Sequence, residues 1–274
     1  MRIDLHAHST VSDGTEPPAV VVEQAAAAGL DVVALTDHDS VEGWAEASAA
    51  ATRVGIELVP GIEVSCRHHG ISIHMLAYWP DPHDDALVGT LAKTRDARVA
   101  RAQAMVARIG VDYPVTWDDV LAESPDAATV GRPHIADALI TRGHFARRED
   151  AFELVLSNHS PYYVPHYAPE VVEAVVALRH AGGVPVFAHP GADARGRVVP
   201  DAVIEQLADA GLVGIEVEHR DHSPAQRERL SGIAARLGLV PTGSSDYHGA
   251  GKPNRLGENL TSPENYAALQ AARA

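Results

Sequence analysis

The chain has 274 residues, 46% of them hydrophobic, which is enough for a sizeable core in one or two domains. A formal net charge of −15 argues against a broad polyanion-binding surface, and so against extended duplex nucleic acid, because backbone affinity rests on Lys and Arg. There is no signal-peptide core and no apolar run of membrane-spanning length, and Cys66 is the single cysteine, so a reducing, cytoplasmic setting without membrane contact is expected. The basic residues are 20 Arg and 2 Lys, a bias that reads, with the abundant Ala, as genomic composition carrying little chemistry.

In chain order, the pattern predicts a strand at 2–6 and a helix at 17–28 that opens on Pro17-Pro18 and stops at Gly29. A strand at 31–36, a helix at 41–54 ending at Gly55, and strands at 56–64 and 71–78 follow. This βαβ rhythm implies a parallel sheet. It breaks at Pro80-Asp81-Pro82. From 85 to 163 the pattern is helical, over 85–109, 116–123, 131–142 and 148–156, which reads as an insertion. The rhythm then resumes with a helix at 168–181, a strand at 184–188, a helix at 200–210, a strand at 212–218, a helix at 223–237, a strand at 239–244 and a last helix at 263–272. The expected architecture is α/β: a barrel discontinuous over 1–84 and 164–274, with 85–163 as a helical insertion capping its mouth.

Polar side chains gather where the apolar runs give out. His6 and His8 end the first strand, His38 the second, Glu63 the third and His189 the fifth, and Asp246 and His248 follow the last. His6-x-His8 and Asp246-x-His248 each put two side chains on one side of extended backbone. The working face of a parallel barrel is the C-terminal end of its strands, so these positions point into one mouth. With Asp13 and His74 they make nine nitrogen and oxygen donors without a thiolate, too many for one ion. Such a set suits two or three divalent ions, with Zn, Mn or Fe favoured over Ca or Mg. Asp13-Gly14 also suits a plain turn, and His74, inside a strand, also suits a core histidine. Asp37 and Asp39 read as residues that orient ligand imidazoles, and Glu218 and His219 could face the mouth.

Five segments carry a family resemblance: Met1 through Gly14, with its His6-Ala7-His8; Leu35-Thr36-Asp37-His38-Asp39; Gly61-Ile62-Glu63; Ala188-His189-Pro190; and Gly243-Ser244-Ser245-Asp246-Tyr247-His248. Together, in this order along nearly the whole chain, they resemble the PHP (polymerase and histidinol phosphatase) metallohydrolases. The resemblance implies a distorted (β/α)7 barrel with a trinuclear site. His6, His8, Glu63 and Asp246 would hold one ion. Glu63 would bridge to a second, completed by His74 and His189, while Asp13, His38 and His248 would hold a third. Glu63, Asp246 and His189 would then stand closest to the chemistry.

Gly131-Arg132-Pro133-His134-Ile135-Ala136 resembles a segment of the small-phosphoesterase branch, in which an Arg and a His of the inserted domain reach over the metals; Arg132 and His134 are therefore expected to contact substrate. Lys252, in the glycine-rich loop after His248, and Arg195 or Arg197, in the loop after His189, are candidates to seat a phosphate. The leading expectation is hydrolysis of a small nucleotide's phosphate monoester by metal-activated hydroxide. The substrate would be a nucleoside 3′,5′-bisphosphate, losing its 3′-phosphate, or AMP. An alternative is a 5′→3′ exoribonuclease on short single-stranded RNA, with Tyr162, Tyr163 and Tyr167 as stacking candidates. The low aromatic content and negative charge weigh against it. Histidinol phosphatase and a non-catalytic metal-binding module are further alternatives.

Overall fold

In a computed structural model, which describes residues 1–125 and 127–273, seven strands line up in sequence order around a nearly closed barrel. The strands are β1 (Ile3–Asp4), β2 (Val32–Leu35), β3 (Glu57–His68), β4 (Ile71–Tyr78), β5 (Val184–Phe187), β6 (Gly214–Glu218) and β7 (Val240–Gly243). Helices α1 (Pro18–Ala27) and α2 (Trp44–Val54) connect the first three strands, and α7 (Val171–His180), α8 (Asp201–Asp209) and α9 (Pro224–Leu237) serve the last three. Between β4 and α7 lie α3 (Asp85–Ile109), α4 (Trp117–Ala122), α5 (Arg132–Thr141) and α6 (Arg148–Ala151), the last running into a π-helical turn at Phe152–Leu156; α10 (Pro263–Ala271) closes the chain. None of the described helices is long and apolar enough to cross a membrane.

Local chemistry sets many of these ends. The Ser223 and Ser262 hydroxyls accept from the Gln226 and Asn265 backbone N–H groups, with Pro in the first turn of both helices. Gly55 and Gly238 end α2 and α9 in the left-handed region, at φ 77° and 67°. The first strand is shorter than the predicted 2–6, because beyond Asp4 the Leu5 carbonyl accepts from the Tyr78 hydroxyl (3.0 Å) rather than from a neighbouring strand. The barrel closes past β1 through a parallel bridge of Ala7 with Tyr247, where the His8 N–H donates to the Tyr247 carbonyl (2.8 Å).

The sheet is not wholly parallel, which corrects the reading of the βαβ rhythm. β4 runs antiparallel to both β3 and β5. Only His69 and Gly70 separate β3 from β4, whereas a parallel return needs a crossover of roughly a dozen residues. Their φ values of 45° and 79° fit the two-residue hairpin turn whose twist matches its strands. The reversal brings the early half of β4, with His74, to the end of the barrel where β3 carries Glu63.

Ile3, Leu5, Val32, Ala34, Val59, Leu76, Tyr78 and Val186 fill one buried cluster among the strands. A second joins the sheet to α7, α8 and α9, and Leu87 and Leu91 from the first turns of α3 belong to it. The later turns of α3 belong elsewhere: Ala102, Met105, Val106 and Ile109 pack with Val120, Ile135, Leu139 and Leu156 in a separate core. So α3 is rooted in the barrel and carries the helical segment outward. That segment is tied back to the first motif by the Ala128 N–H donating to the Val11 carbonyl (2.8 Å).

Candidate metal centre

The side chains of His6, His8, Asp13, His38, Glu63, Asp246 and His248 are buried, on residues that follow or end different strands. Donor atoms of His6, His8, Glu63 and Asp246 all lie within 4.8 Å of one another, and so do those of His8, Asp13, His38 and His248. A third such group is His38, Glu63 and His74, with His189 Nε2 3.0 Å from Glu63 Oε1. All nine expected donors therefore meet in one place. The grouping is more shared than the resemblance implied, since His8 joins two groups and His38 stands between Glu63 and Asp13.

The contacts have the character of a metal-ligand set. His6 Nε2 faces His8 Nε2 at 3.0 Å. His74 Nδ1 lies 2.8 Å from Glu63 Oε1, His38 Nδ1 3.2 Å from Glu63 Oε2 and His248 Nε2 3.2 Å from Asp13 Oδ1. Yet these three nitrogens and Asp13 Oδ1 are buried without a hydrogen-bond partner, because the approach directions are wrong for one. Buried polar atoms are rarely left so. A donor set of imidazole and carboxylate with converging, unpaired atoms fits divalent metal ions.

Electrostatics agree. Burial works to raise the Glu63 and Asp246 carboxyls, but both lie well below the usual range: His38, His74 and His6 act on Glu63, and Lys252, Arg195 and His248 on Asp246. Burial, reinforced by Arg195, pushes His189 down to about 3; burial, reinforced by Lys252, pushes His248 down to about 4. Both imidazoles are thus neutral and have a lone pair to give. His8 goes the other way, up to about 9, because Asp246 and Glu63 outweigh its burial. Metal binding would displace that proton.

Backbone strain concentrates here. Asp39, His189 and Asp246 have φ of 52°, 32° and 53°, three of the five non-glycine residues with positive φ among those described. Gly14 is needed for space rather than for φ: a Cβ there would lie 2.5 Å from the His8 carbonyl oxygen.

Neither Asp37 nor Asp39 touches an expected ligand imidazole directly; Asp37 reaches one only through the Ser12 hydroxyl, 3.3 Å from His8 Nδ1, and Asp39 packs elsewhere. Asp37 accepts from the Ser9 N–H (2.8 Å), the Ser9 hydroxyl (2.6 Å) and the Ser12 hydroxyl (2.6 Å), and so ties down the loop that carries Asp13. Asp39 accepts from the Ser65 N–H and hydroxyl, both at 2.8 Å, and from Arg98 (3.0 Å). The residue that does orient an imidazole is Glu216, which the sequence reading passed over. Its Oε1 lies 3.0 Å from His6 Nδ1 and accepts from the Ser244 hydroxyl, while its Oε2 accepts from the His189 N–H (2.7 Å). A register shift between Glu216 and Glu218 breaks the strand's alternation, so Glu216 faces inward while Glu218 is exposed and pairs with Arg227. His219 is buried, with Nε2 3.5 Å from Asp246 Oδ2.

The expected phosphate-side residues divide. Arg195 (2.6 Å) and Lys252 (3.2 Å) both donate to Asp246 Oδ2. Arg197 does not join them; it reaches the Gly70 carbonyl at the β3–β4 turn (3.4 Å). His134 is buried in the first turn of α5. Its Nδ1 accepts from the Gly131 N–H (3.0 Å), which leaves the ring proton on Nε2. Burial holds this imidazole neutral, against the opposing pull of Asp13 and the Ser12 backbone. Arg132 turns aside and donates to the Leu156 carbonyl (2.8 Å) and the Asn158 side chain (2.9 Å). Of the tyrosines, Tyr162 is held by Asp112 (2.6 Å), Tyr163 lies 5.4 Å under the Arg101 guanidinium, and Tyr167 is exposed beneath Lys93.

The PHP domain family model matches residues 4–162. A 3′,5′-nucleoside bisphosphate phosphatase of Chromobacterium violaceum is 35% identical over 93% of this chain and 90% of its own length. A 5′-3′ exoribonuclease of Haemophilus influenzae is 31% identical over 94% of each chain. A crystal structure from Bifidobacterium adolescentis, described as that of a metal-dependent phosphoesterase, superposes with a TM-score of 0.96 at 44% identity, over 99% of this chain and 96% of that one. With the strand-end donors assembled at one mouth, these matches show that the chain belongs to the PHP domain family.

Proposed function

We propose that the protein is a metal-dependent phosphoesterase that removes the 3′-phosphate of a nucleoside 3′,5′-bisphosphate or a related small nucleotide. One observation carries this reading: nine donors, seven of them on buried residues, converge with unpaired atoms among them, and two cations, Arg195 and Lys252, meet at the edge of the same cluster on Asp246. A nucleoside bisphosphate phosphatase of similar length, 35% identical, supports the choice of substrate.

Two or three divalent ions, Mn, Fe or Zn, would be held by His6, His8, Glu63 and Asp246, by Glu63, His38, His74 and His189, and by Asp13, His38 and His248 with His8. Bound there, they supply Lewis acidity toward phosphoryl oxygens and lower the pKa of water. The chain's own groups do the rest. Glu63 stays ionised among five imidazoles, those of His6, His8, His38, His74 and His189, and Asp246 keeps its charge between Arg195 and Lys252. When a phosphate dianion enters, the two cations are placed to share it with Asp246, and guanidinium forks suit phosphoryl oxygens. His134 offers an N–H from the insertion on the Asp13 side. The helical segment over 85–163 acts as a cap that limits access to small substrates.

The test is phosphate release by Mn-loaded protein from adenosine 3′,5′-bisphosphate, AMP, histidinol phosphate and a 5′-phosphorylated RNA oligomer. The bisphosphate should be the best substrate, and a chelator should stop the reaction. A higher kcat/KM on the RNA oligomer than on the bisphosphate would replace this reading with the exoribonuclease one. Metal-saturated protein inactive on all four would return the chain to a non-catalytic metal-binding role.

A further inference from the structure

The loop after His248 has little with which to hold itself. Gly249-Ala250-Gly251 carries one methyl among three residues, yet it leads directly into Lys252, whose ammonium donates to Asp246 Oδ2. Asp246 is the one ionic partner of Lys252 among the described residues, and the ammonium ends a flexible four-carbon stem. Arg195, which donates to the same oxygen, is secured differently: its Nε donates to Asp221 (2.6 Å), a second carboxylate that fixes the guanidinium. Lys252 therefore stands where its backbone puts it. The barrel supplies part of that support. The Ala250 N–H donates to the Thr15 hydroxyl (2.9 Å), the Asn254 side chain to the Ser245 carbonyl (2.7 Å), and Arg220 to the Pro253 carbonyl (3.2 Å).

The helical insertion supplies the rest. Arg148, in α6, donates from Nη1 to the Gly251 carbonyl (3.3 Å). Among the described residues this is the one hydrogen bond between residues 85–163 and the 249–254 loop. The Gly251 carbonyl belongs to the peptide unit that enters Lys252, and the glycine before it leaves the plane of that unit free to turn unless something holds it. The same guanidinium is fixed by Asp137 of α5, which accepts from Nε (2.6 Å) and Nη2 (2.5 Å) as a bidentate pair. Two of its nitrogens are thus committed to the insertion, and the third is turned to the loop. Burial works against the charge, but Asp137, with Asp13 adding, raises the guanidinium above its ordinary range. The glycine is part of the fit, since a Cβ on Gly251 would overlap Arg148 Nη1.

We propose that Arg148, fixed by Asp137, is a positioning residue that clasps the insertion to the peptide entering Lys252 and so sets where that ammonium meets the scissile phosphate. The proposal rests on the phosphoesterase reading and deepens it. Of the two cations on Asp246, Arg195 is placed by the barrel alone, through Asp221. Lys252 is fully placed only when the insertion is seated, because one of its backbone ties comes from α6. The insertion thereby takes part in binding phosphate without touching it.

Two measurements test it. Arg148→Lys keeps a charge for Asp137 but cannot fork to that carboxylate and reach Gly251 together. In the Mn-loaded enzyme it should raise KM for adenosine 3′,5′-bisphosphate by about fivefold and leave kcat within about twofold. The rise should vanish when Lys252→Met is already present and persist when Arg195→Gln is, because the clasp acts through Lys252 alone. An unchanged KM, or an equal rise in the Lys252→Met background, overturns the proposal; a general loosening of the fold would give the second result. Gly251→Ala should repeat the pattern from the loop side. It gives up no positive φ, and the new methyl displaces only the end of the Arg148 side chain, so a folding defect in one variant leaves the test intact. The second measurement is hydrogen exchange on metal-free protein. Amides of 249–254 should exchange at least about threefold faster in Arg148→Lys than in the native chain, with those of 1–15 unchanged. Equal protection of 249–254 in the two proteins overturns the clasp. If the native protein cleaves no substrate, the phosphoesterase reading fails, while the exchange of this loop still reports on Arg148.

Discussion

Replacing Glu216 by Gln keeps the shape of a fully buried side chain and changes only its charge and donor pattern. In the native protein its two oxygens face three groups, at 3.0 Å from His6 Nδ1, at 2.7 Å from the His189 N–H and in contact with the Ser244 hydroxyl. Burial disfavours the charge, but His6, His219 and His189 hold the carboxyl well below the ordinary range, so it is ionised at neutral pH. An amide can keep the oxygen toward His6 only by turning its NH2 toward the His189 N–H, which sets donor against donor. One unpaired buried N–H costs roughly 1–3 kcal/mol, and weakening the charge-assisted bond to His6 adds about 1 kcal/mol. The loss falls on two ligands at once, because Glu216 fixes the tautomer of His6 and the strained backbone of His189. Metal affinity should therefore drop by roughly 10- to 100-fold, the range typical of removing a ligand's orienting partner. The assay is competition for Mn or Zn against a chromophoric chelator, with thermal melts of the metal-free protein alongside. Metal affinity within about twofold of wild type would refute the orienting role. A melting loss without an affinity loss would make Glu216 a structural residue only.

Asp246→Asn should lower phosphate release by about a thousandfold or more, since it withdraws a ligand and the anchor of Arg195 and Lys252 together. Native-like circular dichroism would show that the loss is catalytic. Arg195→Gln should raise KM for the phosphorylated substrate by about tenfold while leaving metal content, read by elemental analysis, unchanged. Gly14→Ala forces the His8 carbonyl to move, because the new methyl would sit 2.5 Å from its oxygen, and bound metal should be lost along with activity. Unaltered metal content would refute the close-approach argument. Ile135→Ala, in the separate core of the helical segment, should cost about 2–5 kcal/mol and speed proteolysis between 85 and 163 more than elsewhere. A uniform increase in cutting along the chain would mean that the segment and barrel unfold as one.

The clustering of the candidate donors was legible because burial and charge conflict. His6, His38 and His189 follow apolar runs that fold into the sheet, and a polar group there needs a partner that the sequence itself can supply. The same logic applied to Glu216 and was missed, because Gly214-Ile215-Glu216-Val217-Glu218 reads as one alternating face; only the register shift shows that its two acids part company. The antiparallel β4 carried a signal that the βαβ rhythm hid: six residues between the expected strands at 56–64 and 71–78 are too few for a crossover, and the reversal explains why His74 works from within a strand rather than from its end. The arginines failed for a different reason. Counted as composition, 20 of them against 2 Lys carry no information. Placed on a helix, Arg95-x-x-Arg98-x-x-Arg101 is a stripe, and a stripe of fixed positive charge beside a metal mouth constrains what can bind there. Metal donors define a reaction that many phosphate esters could undergo, and they are the part of the site that pattern reveals first. The choice among those esters depends on charges set where the rest of the substrate must lie. In this chain the arginines of α3 and the start of α5 are brought near one another only by the fold, and their sequence shows ordinary helix periodicity until it puts the two helices side by side.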